Sequence, residues 1–188
     1  GFDVDLANAL CKEMEAKCTF HNQSFDSLIP ALKFKRYDAA ISAMDITEAR
    51  LEQVNFSAPY YDNSAAFVSI NDKVADQKGL EGKRVGVQNG STHQSYLIER
   101  MPGVSAVPYS SYQDAFIDMK NGRIDSVFGD TAVVAEWFKK EDKTYDYYFW
   151  FDAGLSHTGL IPDKYLNAEG YRGYYESTLF NQKFLDNL

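Results

Sequence analysis

Three short stretches of this chain carry side chains able to hold charge in a defined geometry. The first is SAMDIT (42–47), where an apolar run turns polar and Arg50 follows closely. Thr47 can cap a helical turn containing Glu48, Ala49 and Arg50. Backbone N–H groups and the Ser42 hydroxyl would then offer hydrogen bonds, and the planar Arg50 fork suits a carboxylate. The same arginine can instead pair with Glu48 or Glu52 on a solvated face. The second stretch is QNGSTHQ (88–94), a tight turn leading into a helix N-terminus, where free N–H groups and the positive dipole end favour an anion. Ser91 and Thr92 add hydroxyls, and either also serves as an ordinary cap. The glycine spacing and lysine of a phosphate-binding loop are missing. The third is GDTAVVAEW (129–137), in which Asp130 follows a strand and precedes a helix. It is either an N-cap or an acceptor for an ammonium group. An arginine for a carboxylate and an aspartate for an ammonium would together clamp a zwitterion, the α-groups of a free amino acid. Phe25, Tyr60 and Tyr61 add aromatic faces for stacking or for core packing.

These groups need strands and helices to position them. Leu6, Leu10 and Met14 repeat at helical spacing beside Ala7 and Cys11, with Asp3 or Asp5 as cap. CTFHNQ reads as a strand. Asp26 or Ser27 caps the next helix, which points Leu28 and Leu32 inward and carries Pro30 in its tolerant first turn. YDAAIS reads as a short strand. Such β-α-β alternation predicts a parallel sheet with right-handed crossovers. The second half repeats the scheme with strands at AAFVSI, RVGVQ, SAVPYS and IDSVFGD. Its helices are THQSYLIERM, YQDAFIDMKNGR (Ala115, Phe116 and Met119 inward, Gly122 as the stop) and TAVVAEWFKK.

An internal repeat points to two lobes of similar build. FDSLIPALKFKRYDAAIS (25–42) aligns with YQDAFIDMKNGRIDSVFG (112–129) at a constant offset of 87 positions. Phe25 meets Tyr112, Lys33 meets Lys120, Arg36 meets Arg123 and Asp38 meets Asp125. Convergent composition of two helix-turn-strand units also gives such a match. If the lobes are alike, Ser42–Asp45 and Gly129–Asp130 both stand at the C-terminal end of a parallel strand, where open α/β sheets bind ligands.

Composition narrows the partners. A net charge of −8, from 27 acidic and 19 basic residues, argues against nucleic acid and against an anionic membrane surface. No apolar run reaches the roughly 18 residues of a membrane span. His21, His93 and His157 are scattered, which argues against a zinc site and leaves no metal or cofactor expected. Cys11 and Cys18 are two buried thiols or a short bridge; spacing alone leaves both open. Nothing before GFDVDLANAL can serve as a first strand, so the expectation is a chain without its opening piece.

FDVDLANALC, FDSLIPALKFKRYDAAIS, SAMDITEAR, VNFSAPYY, GKRVGVQNGSTHQ and NGRIDSVFGDTAVVAEW resemble, in order and spacing, the periplasmic amino-acid-binding proteins of ABC importers, with the arginine-binding branch nearest. The likeness covers residues 1 to about 140; each motif is weak alone and specific in combination. It implies an α/β two-lobe clamshell, the periplasmic binding protein fold, with mostly parallel sheets and an incomplete first lobe. Lobe 1 would span 1–66 without its first strand and lobe 2 would span 67–157. Residues 158–188 would return, shortened, to lobe 1, and AAFVSI would form the first crossover. The resemblance implies Arg50 on the ligand α-carboxylate, shared with the helix N-terminus at Ser91 and Thr92. It implies Asp130 on the α-ammonium, Phe25 against the ligand side chain, and a pocket lining of Ser42, Ala43, Met44 and Asp45. It further implies a Cys11–Cys18 disulfide. After Lys140 the likeness fades to HTGL and YYESTLFNQKF.

The implied function is non-catalytic binding of a free amino acid, L-arginine or another cationic one, for delivery to an ABC permease in the inner membrane. The implied location is periplasmic, or secreted and membrane-tethered. Asp45 would favour a cationic side chain or belong only to the Thr47 turn. Competing expectations are a degenerate or truncated paralogue that binds nothing, a sensor domain, and a cyclohexadienyl-dehydratase-like enzyme. For the enzyme, His93 and Glu48 are the nearest acid–base groups, and neither has an evident orienting partner.

Overall fold

The structure is a computed structural model that describes residues 1–61, 64–70, 74, 77–140 and 148–152. A five-stranded sheet in the order β3-β2-β4-β1-β5 organises the second half of the chain. Its strands are β1 (Ala65–Ser69), β2 (Arg84–Gln88), β3 (Ser105–Tyr109), β4 (Ser126–Asp130) and β5 (Tyr148–Asp152). β2 pairs in parallel with β3 and β4. Helices α4 (Thr92–Arg100) and α5 (Tyr112–Lys120) lie in the connections between these strands, and α6 (Thr131–Lys140) follows β4. β1 instead runs antiparallel to β4 and β5, which makes the sheet mixed. Ala65 lies opposite Asp130, so β1 starts at the edge where β4 ends and must run the other way. The lobe boundary expected at residue 66 falls inside β1, whose whole length pairs in this sheet.

Alternation along each strand sends side chains to two cores. Phe67 and Phe128 join Val85, Val87, Leu97 and Leu80 on one face, with the two phenyl rings stacked at 3.9 Å. Val68 and Val127 join Ala115, Phe116, Met119 and Ile124 on the other. Gly86 is required by that second face: a Cβ there would lie 2.6 Å from Ile124 Cδ1 and 3.2 Å from Ala115 Cβ. Gly122 ends the α5 segment at φ +69°, as its position after the helix predicts.

The first half differs from expectation. Helices α1 (Phe2–Glu13), α2 (Leu28–Lys33) and α3 (Glu48–Leu51) form, but neither CTFHNQ nor YDAAIS becomes a strand. An extended segment is a strand only when a neighbour takes its hydrogen bonds, and neither segment pairs among the described residues. The helix faces that should pack on such strands are poorly covered: Leu10 is 50% exposed and Met14 65%, and Leu28 and Leu32 are only partly buried. Only Ala7 of α1 and Ala31 of α2 are buried. Two caps also move. Helix α1 begins beside Gly1, leaving Asp3 and Asp5 in its first turn near the positive dipole end. A 3-10 turn at Phe25–Ser27 precedes α2, and Ser27 donates its hydroxyl to the Ser24 carbonyl at 2.7 Å rather than capping. Cys11 and Cys18 form a disulfide that ties the end of α1 to the segment after it. The expected HTGL crossover and the return over 158–188 lie outside the described residues.

Candidate functional site

β2 and β4 end at the same sheet edge, and the helices that follow start there. The first 61 residues approach this edge, and a cleft of about 560 Å³ lies between. Phe25 and Ser42 line one wall; Gln88, Ser111, Tyr112 and Val133 line the other.

Arg50 reaches across. Thr47 caps α3, its hydroxyl accepting from the Arg50 N–H at 3.3 Å, which fixes where the arginine side chain leaves the helix. Arg50 Nη1 donates to the Asp45 carbonyl at 2.8 Å, and Nη2 to the Gly90 carbonyl at 3.1 Å. Its guanidinium carbon sits 5.5 Å from the centre of the Phe25 ring. Burial lowers the Arg50 pKa and the Asp45 charge opposes that shift; an arginine so placed remains a cation. Cross-cleft contacts, rather than a pairing with Glu48 or Glu52, orient this side chain.

On the facing wall, Ser91 is the N-cap of α4. It accepts from the Gln94 N–H at 3.2 Å and donates to the Gln88 carbonyl at 2.7 Å, so its hydroxyl is committed to the turn. Gly90 (φ +74°) donates its N–H to Gln94 Oε1 at 2.8 Å. Its positive φ and the Asp26 backbone, 3.2 Å from where a Cβ would stand, both call for glycine. Thr92 opens the helix, where its own N–H has no intrahelical acceptor, and donates its hydroxyl to Asp45 Oδ2. Asp45 therefore answers the question the sequence left open in a third way. Its carboxylate clasps Thr92 across the cleft, and its carbonyl holds Arg50. Asn89 Nδ2 donates to Asp26 Oδ2 at 2.9 Å, a third bond between the two halves.

Asp130 ends β4, with His93 Nε2 at 3.5 Å from its Oδ1. His93 is 3% exposed and stands edge-on to Phe128, so the only histidine near a pocket motif lies beneath the cleft wall. Ala43 holds φ +43°, a left-handed conformation costing about 1 kcal/mol outside glycine. Its N–H is taken by the Tyr60 hydroxyl at 2.8 Å, and that hydroxyl donates on to Asp3 at 3.1 Å. Met44 is half-buried beside this turn and does not line the cleft. Thus Phe25 and Ser42 line the cleft, Arg50, Asp45 and Thr92 belong to the hydrogen bonds that join the two halves beside it, and Asp130 ends β4 at the same sheet edge, while Ser91 serves its own turn and the Ala43 N–H bonds Tyr60. Among the described residues no cluster of three His, Cys, Asp or Glu side chains is placed to hold a metal ion.

Tyr112 was not among the expected site residues. At the first position of a helix with an inward face it reads as core. The available signal was the repeat, which aligns it with Phe25, and the structure puts both rings on the cleft.

Known proteins place this architecture. The "ABC transporter arginine-binding protein 1" of Escherichia coli K12 is 60% identical over 139 residues, which are 74% of this chain and 57% of that protein. The chain spans under three-fifths of the length of the curated relatives it matches. A solved Salmonella typhimurium periplasmic binding protein, described as having high arginine specificity, superposes with a TM-score of 0.78 at 40% identity, covering 99% of this chain and 86% of that one. An ancestral arginine-binding protein bound to arginine gives 0.75 at 31% identity, over 94% and 87%. These neighbours share the periplasmic binding protein fold. Residues 1–156 match the profile of bacterial extracellular solute-binding proteins, family 3, and the chain belongs to that family.

Proposed function

We propose that this chain is a non-catalytic receptor for a free amino acid, L-arginine or a similar cationic one, held by its α-carboxylate and α-ammonium. The observation that carries the reading is the convergence of Arg50 and the α4 N-terminus from the two halves of the chain, joined through Gly90 and Asp45. A guanidinium with donors beyond the two already used and a helix N-terminus together suit a carboxylate. Asp130 lies at the same edge as the acceptor for the ammonium, and Phe25 offers a face to the side chain. The net charge of −8 and the Asp45 carboxylate favour a cationic side chain over an acidic one. The named ligands of the relatives support arginine. Two lobes closing over a desolvated ligand supply the binding energy.

The resemblance to ABC importer receptors extends the proposal to delivery at an inner-membrane permease. A periplasmic location is part of the same proposal, and the Cys11–Cys18 bridge, which suits an oxidising compartment, supports it. Calorimetric titration of the full chain with arginine, lysine, histidine and glutamine tests the reading. Arginine should bind tightest. No heat and no melting shift with any of the twenty amino acids would refute it.

A further inference from the structure

Tyr112 carries a group that the site as described leaves unused. Its ring lines the cleft, its side chain is 7% exposed, and its hydroxyl has no hydrogen-bond partner among the described residues. A buried hydroxyl without a partner is costly, so its retention needs a reason. Packing alone does not supply one, because phenylalanine would fill the space between Phe116 and Gly129 equally well. Gly129 makes the placement possible: a Cβ there would lie 2.6 Å from the hydroxyl oxygen. That glycine is the residue immediately before Asp130, so the hydroxyl stands beside the strand end that carries the ammonium acceptor. Burial, and to a lesser degree the charges of Asp130 and Asp45, push the phenol far above its ordinary range; the nearby Gln88 backbone amide pulls the other way without reaching hydrogen-bond geometry. The hydroxyl therefore stays neutral.

We infer that Tyr112 is a ligand-contacting and specificity residue whose oxygen accepts a hydrogen bond from a cationic nitrogen, ammonium or guanidinium, in the cleft. The inference rests on the proposed amino-acid receptor reading and adds a residue to it. It also explains the repeat. Phe25 and Tyr112 are aligned by the sequence repeat and both line the cleft, but only the second carries an oxygen. A neutral acceptor adds a directional bond for an N–H donor without adding a third negative charge beside Asp45 and Asp130.

The test is Tyr112→Phe in the full chain, titrated with L-arginine, L-citrulline (neutral side chain) and 5-guanidinopentanoate (no α-ammonium). Arginine affinity should fall roughly ten- to hundredfold, the range for a hydrogen bond to a charged group. The loss should vanish on whichever analogue lacks the cation that Tyr112 meets, which identifies the end of the ligand it reads. The ligand-free variant should melt no lower than the wild type, because an unsatisfied buried oxygen has been removed. Unchanged arginine affinity, or an equal loss on both analogues, would overturn the inference while leaving the receptor reading intact. Absence of any arginine binding by the wild type would overturn both.

Discussion

Arg50 donates from Nη2 to the Gly90 carbonyl, 3.1 Å away across the cleft and 40 positions along the chain. That bond fixes the guanidinium plane beside the turn that starts α4. A substitution at Arg50 therefore acts on two things at once, the cross-cleft bond and the proposed carboxylate contact. Arg50→Ala should weaken L-arginine binding by roughly a hundredfold or more, about 3 kcal/mol, as for truncating one partner of a desolvated charge pair. The ligand-free melting temperature should fall only slightly, since the lost bonds go to two carbonyls at a half-exposed surface. Arg50→Lys should recover little, because an ammonium cannot reproduce the planar fork. Calorimetric affinity measured beside thermal melting separates the two effects. Retained binding by Arg50→Ala would remove the arginine from the site.

Half of this arrangement could be read from the residues in order, and the other half depended on distance. β4 is a short apolar run buried on both faces, and β2 and β3 are each followed by a serine-capped helix, so local pattern and tertiary fold agree there. Arg50, Thr92 and Asp130 stood out because polar groups at the end of an apolar strand are hard to explain as packing. The segments around Phe20 and Ala39 were misread as strands because a strand depends on its neighbour, which no local window contains. Tyr112 was missed because an aromatic residue on an inward helical face is ordinary core until its hydroxyl is found without a partner. The Asp45–Thr92 clasp joins residues 47 positions apart and leaves no trace in either local stretch.

The Cys11–Cys18 bridge should matter more to the first half of the chain than its short span suggests. Helix α1 buries only Ala7, so few packing contacts hold it. Closing a loop of this size lowers the entropy of the unfolded chain by an amount equivalent to about 2–3 kcal/mol. Reduction with dithiothreitol should raise backbone amide exchange over residues 2–20 and leave β2 and β4 protected, as read by hydrogen–deuterium exchange mass spectrometry. Uniform loss of protection across the sheet would show that the bridge supports the whole fold.

Acid should weaken the sheet through Asp125. Partial burial pushes its pKa up, but hydrogen bonds from the Arg84 backbone (2.9 Å) and side chain (3.3 Å), with the charges of Arg84 and Lys83, bring it below the ordinary carboxylate value. A lowered folded-state pKa stabilises the fold above the unfolded value, near 3.9, and that stability is lost as pH falls through the folded one. The melting temperature should therefore be insensitive to this group at neutral pH and drop below about pH 4. Asp125→Asn should melt lower at pH 7 and show a shallower acid decline. Parallel melting curves for variant and wild type from pH 7 to pH 2.5 would exclude the mechanism.

Two glycines of the same sheet separate damage to the fold from damage to the site. A methyl at Gly86 meets Ile124 and Ala115 inside the second core, at the middle of β2 and away from the cleft lining. A methyl at Gly129 meets the ring and hydroxyl of Tyr112 at 2.6 Å, on the cleft wall and one residue before Asp130. Both overfill a packed interior, so each should destabilise by about 1–3 kcal/mol. Their effects on binding should diverge. Gly86→Ala should keep arginine affinity within a few-fold of wild type once compared below its melting point. Gly129→Ala should lose affinity by more than its stability change accounts for, because Tyr112 must swing into the cleft or away from it. Titrations of both variants at 15 °C, where each remains folded, make the comparison. If the two lose affinity equally, the β4 end and Tyr112 have no special place in ligand binding.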